Sequence, residues 1–232
     1  MSTLLLKLAG PMQSWGGNSK YETRRTESMP TKSGVTGLLA AALGRERGAD
    51  ISDLSSLRFG VRADKEGIIR RDFHTVDKQG TKYVTYRYYI EDGVFLAGFE
   101  SADTAFLESI EYALKHPVYP PFLGRKSCPP AQPLVVGIRD KCLKDALLEE
   151  PVLVQHRNTE AGQNSLRILM DAGQGIDATG FRSDYPVSFN SKKRLHVTRG
   201  ICECRTAMPL QEDIRDRMET NIDTAHDAFS FL

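Results

Sequence analysis

Apolar residues in this chain come in short blocks of two kinds, continuous runs and helix-spaced stripes. Residues 3–9 (TLLLKLA) form an almost unbroken apolar run stopped by Gly10-Pro11, the pattern of a buried strand. Residues 32–43 are Ala- and Leu-rich and read as a helix. Thr31 or Ser33 can cap its start, and Gly44 ends it just past the last turn. Strands are predicted at 57–63 and 68–75, joined by the turn Asp64-Lys65-Glu66-Gly67. Residues 76–82 read as a polar, Gly-containing excursion. The aromatic, β-branched run 83–90, the turn Glu91-Asp92-Gly93 and the run 94–99 read as a hairpin. Asp103 caps a helix to Lys115 with Phe106, Leu107, Ile110 and Leu114 on one face, and Pro117 bars its continuation.

A strand at 134–138, after a long Pro-rich loop, completes the order strand, helix, strands, helix, strand. That is the ferredoxin-like (RRM-like) β-α-β-β-α-β plan with an elaborated middle, an α+β fold over residues 1–138. Beyond it, a short helix at 141–149 and strands near 152–156, 163–170 and 194–204 predict a small β-rich C-terminal domain at 139–207. Residues 208–232 predict an amphipathic, acidic helical tail with Leu210, Ile214, Met218 and Ile222 at helical spacing.

At 232 residues the chain can bury roughly 70% of its unfolded surface, so it needs neither disulfides nor a structural metal. No apolar run approaches the ~18 residues of a membrane span, and no signal peptide is evident, so the expectation is a cytoplasmic protein with no membrane partner. Cys128 and Cys142 stand alone, and Cys202-x-Cys204 has no second pair at zinc spacing; buried free thiols are expected and no metal. Charge is unevenly distributed. Residues 58–87 hold eight cations and four acids, 192–205 hold five cations against Glu203, and 208–232 hold six acids against Arg215 and Arg217. Such bias suits a polyanion partner, and solvated faces produce it too.

Enzyme signatures are absent: there is no P-loop, no H-E-x-x-H, no G-x-S-x-G and no G-x-G-x-x-G. Lys115-His116 is the nearest approach to an acid–base pair, and its place in a helix's last turn accounts for it structurally. Three other places could carry binding. The broken strand holding Trp15, the only tryptophan, precedes the polar start of the first helix, where an anion or a nucleic-acid strand can sit. The alternative for Trp15 is core packing. The loop Pro120-Pro121-Phe122-Leu123-Gly124-Arg125-Lys126-Ser127-Cys128-Pro129-Pro130 pairs two cations and a hydroxyl behind a glycine, a phosphate-binding pattern that also fits a Pro-rich surface loop. Lys78 to Tyr88, with Lys82, Tyr83, Tyr86, Arg87 and Tyr88, interleaves aromatics and cations. These can stack on bases or simply pack. The basic-Gly-aromatic platform of RRM domains is missing, so RNA binding would use loops.

Taken in order, several segments resemble the CasD family of the type I-E CRISPR surveillance complex, Cascade. They are residues 8–16 (LAGPMQSWG), Thr23-Arg24, residues 30–34 (PTKSG) leading to Gly37-Leu38-Leu39, Asp72-Phe73-His74-Thr75, residues 119–129 (YPPFLGRKSCP) and residues 194–197. The similarity is strongest to about residue 136, weaker to about 205, and leaves the tail outside. It implies a ferredoxin-like domain with a β-hairpin thumb, placed around 76–99, and a small C-terminal β unit. It also implies a role without a cofactor: capping the 5′ handle of crRNA, beside a Cascade backbone subunit and a large PAM-reading subunit, with target DNA reached through the complex. Carried over by position, the RNA contacts are Gln13, Trp15, Arg24, Lys32, Ser33, His74, Arg125, Lys126 and Ser127, to which the hairpin reading adds Lys82 and Arg87.

A related type I-C branch resembles a metal-independent RNase with a tyrosine near the first helix and a Lys-His pair before the second. Here the first position is Lys32, the segment before the second helix is Glu100-Ser101-Ala102-Asp103, and no catalytic residues are expected. The readings left open are a non-catalytic RNA-binding subunit, a metal-independent endoribonuclease processing pre-crRNA, and a generic protein-interaction domain.

Overall fold

The computed structural model describes residues 1–16, 22–78, 80–154, 165–173, 175, 177–190 and 194–207. The expected acidic tail helix, the last two residues of the strand expected at 152–156, and Gln79 lie outside the described residues; residues 152–154 are described and form no strand.

The elements in chain order are β1 (Ser2–Ala9), β2 (Met12–Gln13), β3 (Thr23–Arg24), α1 (Lys32–Ala42), α2 (Ser52–Ser56), β4 (Arg58–Lys65), β5 (Ile68–Lys78), β6 (Thr81–Glu91), β7 (Val94–Ser101), α3 (Thr104–Lys115), β8 (Val135–Arg139), α4 (Leu143–Glu149), β9 (Ser165–Asp171), β10 (Gly180–Ser188) and β11 (Leu195–Ala207). Seven of the strands form one sheet in the order β10-β11-β9-β4-β7-β1-β8, with every neighbouring pair antiparallel. The protein is thus a mixed α+β fold, mostly antiparallel, with few helices. No helix among the described residues is long and apolar enough to cross a membrane.

The apolar run of β1 is continuous because both faces of the sheet are covered. Leu4, Leu6 and Leu8 point into a core with Val35, Leu38 and Leu39 of α1 and Leu107, Ile110 and Leu114 of α3. Leu5 points the other way, against Leu143, Ala146 and Leu147 of α4. Both long helices carry the expected caps: the Thr31 hydroxyl accepts from Gly34 N–H at 3.2 Å, and the Asp103 carboxylate accepts from Phe106 N–H at 3.0 Å. The strands beyond residue 139 are hydrogen-bonded continuously to the rest, since β9 lies along β4 with Gly60 opposite Met170 and Ala63 opposite Arg167.

The projecting hairpin differs from the expected one. Its strands are β5 and β6, laddered without interruption from Ile68↔Glu91 to Lys78↔Thr81, so residues 76–82 form its tip. Glu91-Asp92-Gly93 is not a hairpin turn within one sheet. Asp92, at φ 53°, turns the chain out of the smaller sheet of β6 and into β7 of the large one. β6 also carries β2 and β3 on its other edge, β3 being parallel to it.

A cationic junction beside a locked helix start

The start of α1 is not an open anion site. The Lys32 backbone N–H donates to Asp184 Oδ2 of β10 at 2.9 Å, so an internal carboxylate already occupies it. Asp184 is in turn held by Arg199, Nε to Oδ1 at 2.7 Å and Nη2 to Oδ2 at 3.0 Å. Arg199 Nη1 donates to Asp171. Asp171 also accepts from the Lys32 ammonium at 2.9 Å and from Phe59 N–H at 2.8 Å. Lys32 Nζ finally donates to Leu57 O at 2.7 Å. Burial pushes the Lys32 pKa below the ordinary lysine value, and Asp171 offsets part of that shift. The network fastens α1 to β9, β10 and β11.

Four of the sequence-predicted contacts, Gln13, Trp15, Lys32 and Ser33, are buried within this chain. Trp15 is fully enclosed, its indole N–H donating to Gln13 Oε1 at 3.1 Å, while the Gln13 amide donates to Leu8 O and Gly93 O. Gly34 lies so close that a Cβ there would meet the Trp15 ring at 2.8 Å. The lone tryptophan packs against α1. Two other sequence-level readings change as well. Arg62 and Arg199, counted with the basic segments, are internal: Arg62 is fully buried, paired to Asp64 at 2.6 Å and donating to the carbonyls of Leu147, Glu150 and Pro151. Cys202 is half-buried, packed against the core that α4 covers, and Cys204 is exposed.

The remaining cations converge. Arg24 of β3 lies opposite Arg87 of β6, on the same sheet face. Arg125 reaches in from the 120–128 loop, its Nη2 donating to Arg24 O at 3.1 Å and its guanidinium lying 4.6 Å from the centre of the Tyr89 ring. That loop is pinned to the segment before Trp15 by Ser14 N–H donating to Leu123 O at 3.1 Å. Gly124 makes the close approach possible: at φ +81°, a Cβ would fall 1.8 Å from Ser14 O. Among the described residues Arg24, Arg87, Arg125 and Lys126 make no ion pair, and neither Arg87 Nε nor Arg125 Nη1 finds a hydrogen-bond acceptor. Lys126 and Ser127 are exposed in the same loop. His74 shares the Arg87 face through its ladder position but is bound to Asp72, Nε2 to Oδ2 at 2.8 Å. Lys82 lies apart, near the tip and on the opposite face, across from Asp77. Three guanidiniums without a carboxylate partner, gathered at a sheet edge, can hold phosphate oxygens.

Replacing Gly124 by alanine tests whether this loop positions Arg125. The positive φ and the backbone clash predict a stability loss above ~1 kcal/mol and a displaced Arg125, read by denaturant unfolding. A second test concerns pH. Burial, then Arg194, lowers the His196 pKa, against the pull of Asp184. The unfolded chain therefore takes up a proton near the ordinary histidine value of 6.5 that the folded chain resists. Stability should fall as pH drops through that value, and His196→Gln should flatten the loss in unfolding curves.

The two sheets and the cationic edge define the class, a mixed α+β protein carrying a cationic junction. The chain belongs to the CRISPR-associated protein (Cas_Cas5) family, whose model matches residues 3–201. It is similar to the CRISPR system Cascade subunit CasD of Escherichia coli (strain K12), 38% identical over 161 residues, covering 59% of this chain and 70% of the relative. A solved chain described as a CRISPR RNA-guided surveillance complex superposes with a TM-score of 0.79 at 30% identity, covering 94% of this chain and 98% of that one. Another, described as the crystal structure of a Cas protein, superposes with a TM-score of 0.72 at 37% identity, covering 91% and 100%.

Proposed function

We propose that this chain is a non-catalytic RNA-binding subunit of a Cascade-type complex, which caps the 5′ handle of crRNA and nucleates assembly for antiviral DNA targeting. The observation that carries the reading is the convergence of Arg24, Arg87 and Arg125 without a carboxylate partner. Phosphates pair with these guanidiniums, and Tyr83, exposed on the Arg87 face of β6, offers its ring to bases. The similarity to a Cascade subunit and to a chain of a surveillance complex supports the same role, with a backbone subunit and a large PAM-reading subunit as neighbours. The strand order β4-β7-β1-β8, with α1 and α3 as crossovers packed on one face, supports a ferredoxin-like reading of residues 1–138, and β5–β6 is its thumb.

The surroundings of Lys32, Lys115 and His116 do not favour the endoribonuclease alternative. Lys32 is shut into the ion network, Lys115 is bound to Glu111 at 2.9 Å, and the His116 ring lies 4.5 Å from that of Tyr112. Incubation with repeat RNA in EDTA should give a gel-shifted complex and intact RNA. Cleavage that disappears in Lys115→Ala/His116→Ala would instead establish the nuclease.

A further inference from the structure

The hairpin has two unlike faces. The one bearing Arg87 belongs to the cationic junction. The other presents Ile69 (49% exposed), Phe73 (65%), Val84 (47%) and Tyr86 (38%), joined through the ladder pairs Phe73↔Tyr86 and Thr75↔Val84. Arg71 lies over the Tyr86 ring at 5.0 Å. A row of large apolar side chains on one face of this small sheet is unusual for a surface left to water.

We propose that this face is covered by the chain's own residues 208–232. Three observations point to that occupant. The first is where the segment starts. β11 ends at Ala207, and Arg205 lies 3.8 Å from Glu66, two residues before β5 begins, so the segment leaves the sheet at the base of the hairpin. The second is reach. Twenty-five residues at ~1.5 Å each span ~37 Å as a helix, against ~36 Å for an eleven-residue strand. The third is pattern. Leu210, Ile214, Met218, Ile222 and Phe229 fall on one side at helical spacing, while Glu212, Asp216, Glu219, Asp223 and Asp227 fall on the other. The apolar stripe meets the Ile69–Phe73–Val84–Tyr86 row. The acids stay in water, and those at the stripe's edges can pair with Arg71 and Lys82, which share that face.

The proposal uses the hairpin reading but needs no RNA, so it stands or falls separately from the RNA-binding role. Amide hydrogen exchange, read by mass spectrometry on the full chain at several protein concentrations, tests it. The comparison is wild type against Ile214→Ser/Met218→Ser/Ile222→Ser, which alters no described core residue, and against the reciprocal Phe73→Ser. Wild type should protect peptides from 208–232 as well as β5 and β6. The tail variant should speed exchange in both by at least about fivefold, and Phe73→Ser should speed it in the tail. An unprotected wild-type tail, or a tail variant that leaves β5 and β6 unchanged, overturns the proposal. Hairpin protection that grows with concentration and survives the tail variant overturns it too, and assigns the face to a second copy.

Discussion

Arg199→Ala should destabilise the protein by about 3–5 kcal/mol, the range for removing one partner of a buried ion pair. Arg199 is 8% exposed and supplies three of the bonds that neutralise Asp184 and Asp171. Without it two carboxylates remain in the interior facing a single ammonium, Lys32. Asp184 also satisfies the first backbone N–H of α1, so the strain passes directly to the helix that covers β1. Truncation of one member should therefore cost more than replacing the set together with apolar residues of similar volume, because the penalty is an uncompensated charge rather than a lost attraction. Urea unfolding of the single variant measures it. A loss under ~1 kcal/mol would mean the network carries little of the fold.

Arg87→Ala/Arg125→Ala should leave the fold standing and weaken RNA binding about a hundredfold at low salt, about tenfold for each charge-assisted phosphate contact. Both side chains are half-buried but bonded to no carboxylate, so their loss leaves no buried anion behind. The electrostatic origin has its own signature: log K against log salt should flatten by ~0.7 for each contact removed from a single strand. Trp15→Phe, by contrast, should affect stability and not the salt slope, since the ring is enclosed.

Local signals made much of the frame legible. The strand of β1, the capped helices α1 and α3 and the stop at Gly44 depend on neighbours within a turn, and sequence pattern records them. Only the outer end of β5 escapes the pattern, which stops the strand at residue 75: both faces are exposed toward the tip, so no alternation marks residues 76–78, and Asp77 and Lys78 read as loop. β10 was missed because Pro186 interrupts its run, yet an edge strand tolerates proline, and β10 is the edge. The site divided along the same line. Arg125 and its glycine-led loop carried a visible pattern. Nothing local tells that Lys32, Asp171, Asp184 and Arg199 meet, since each comes from a different element. That meeting places an internal carboxylate at the start of the first helix and joins it to three strands.

The most direct test of the central claim is where RNA lies. Handle RNA carrying 4-thiouridine at successive positions, photo-crosslinked to the full chain and mapped by mass spectrometry, should give adducts on β3, on β6 near Arg87 and in the loop at 122–128. Adducts confined to β10 and β11, or a pattern unchanged in Arg87→Ala/Arg125→Ala, would contradict the account.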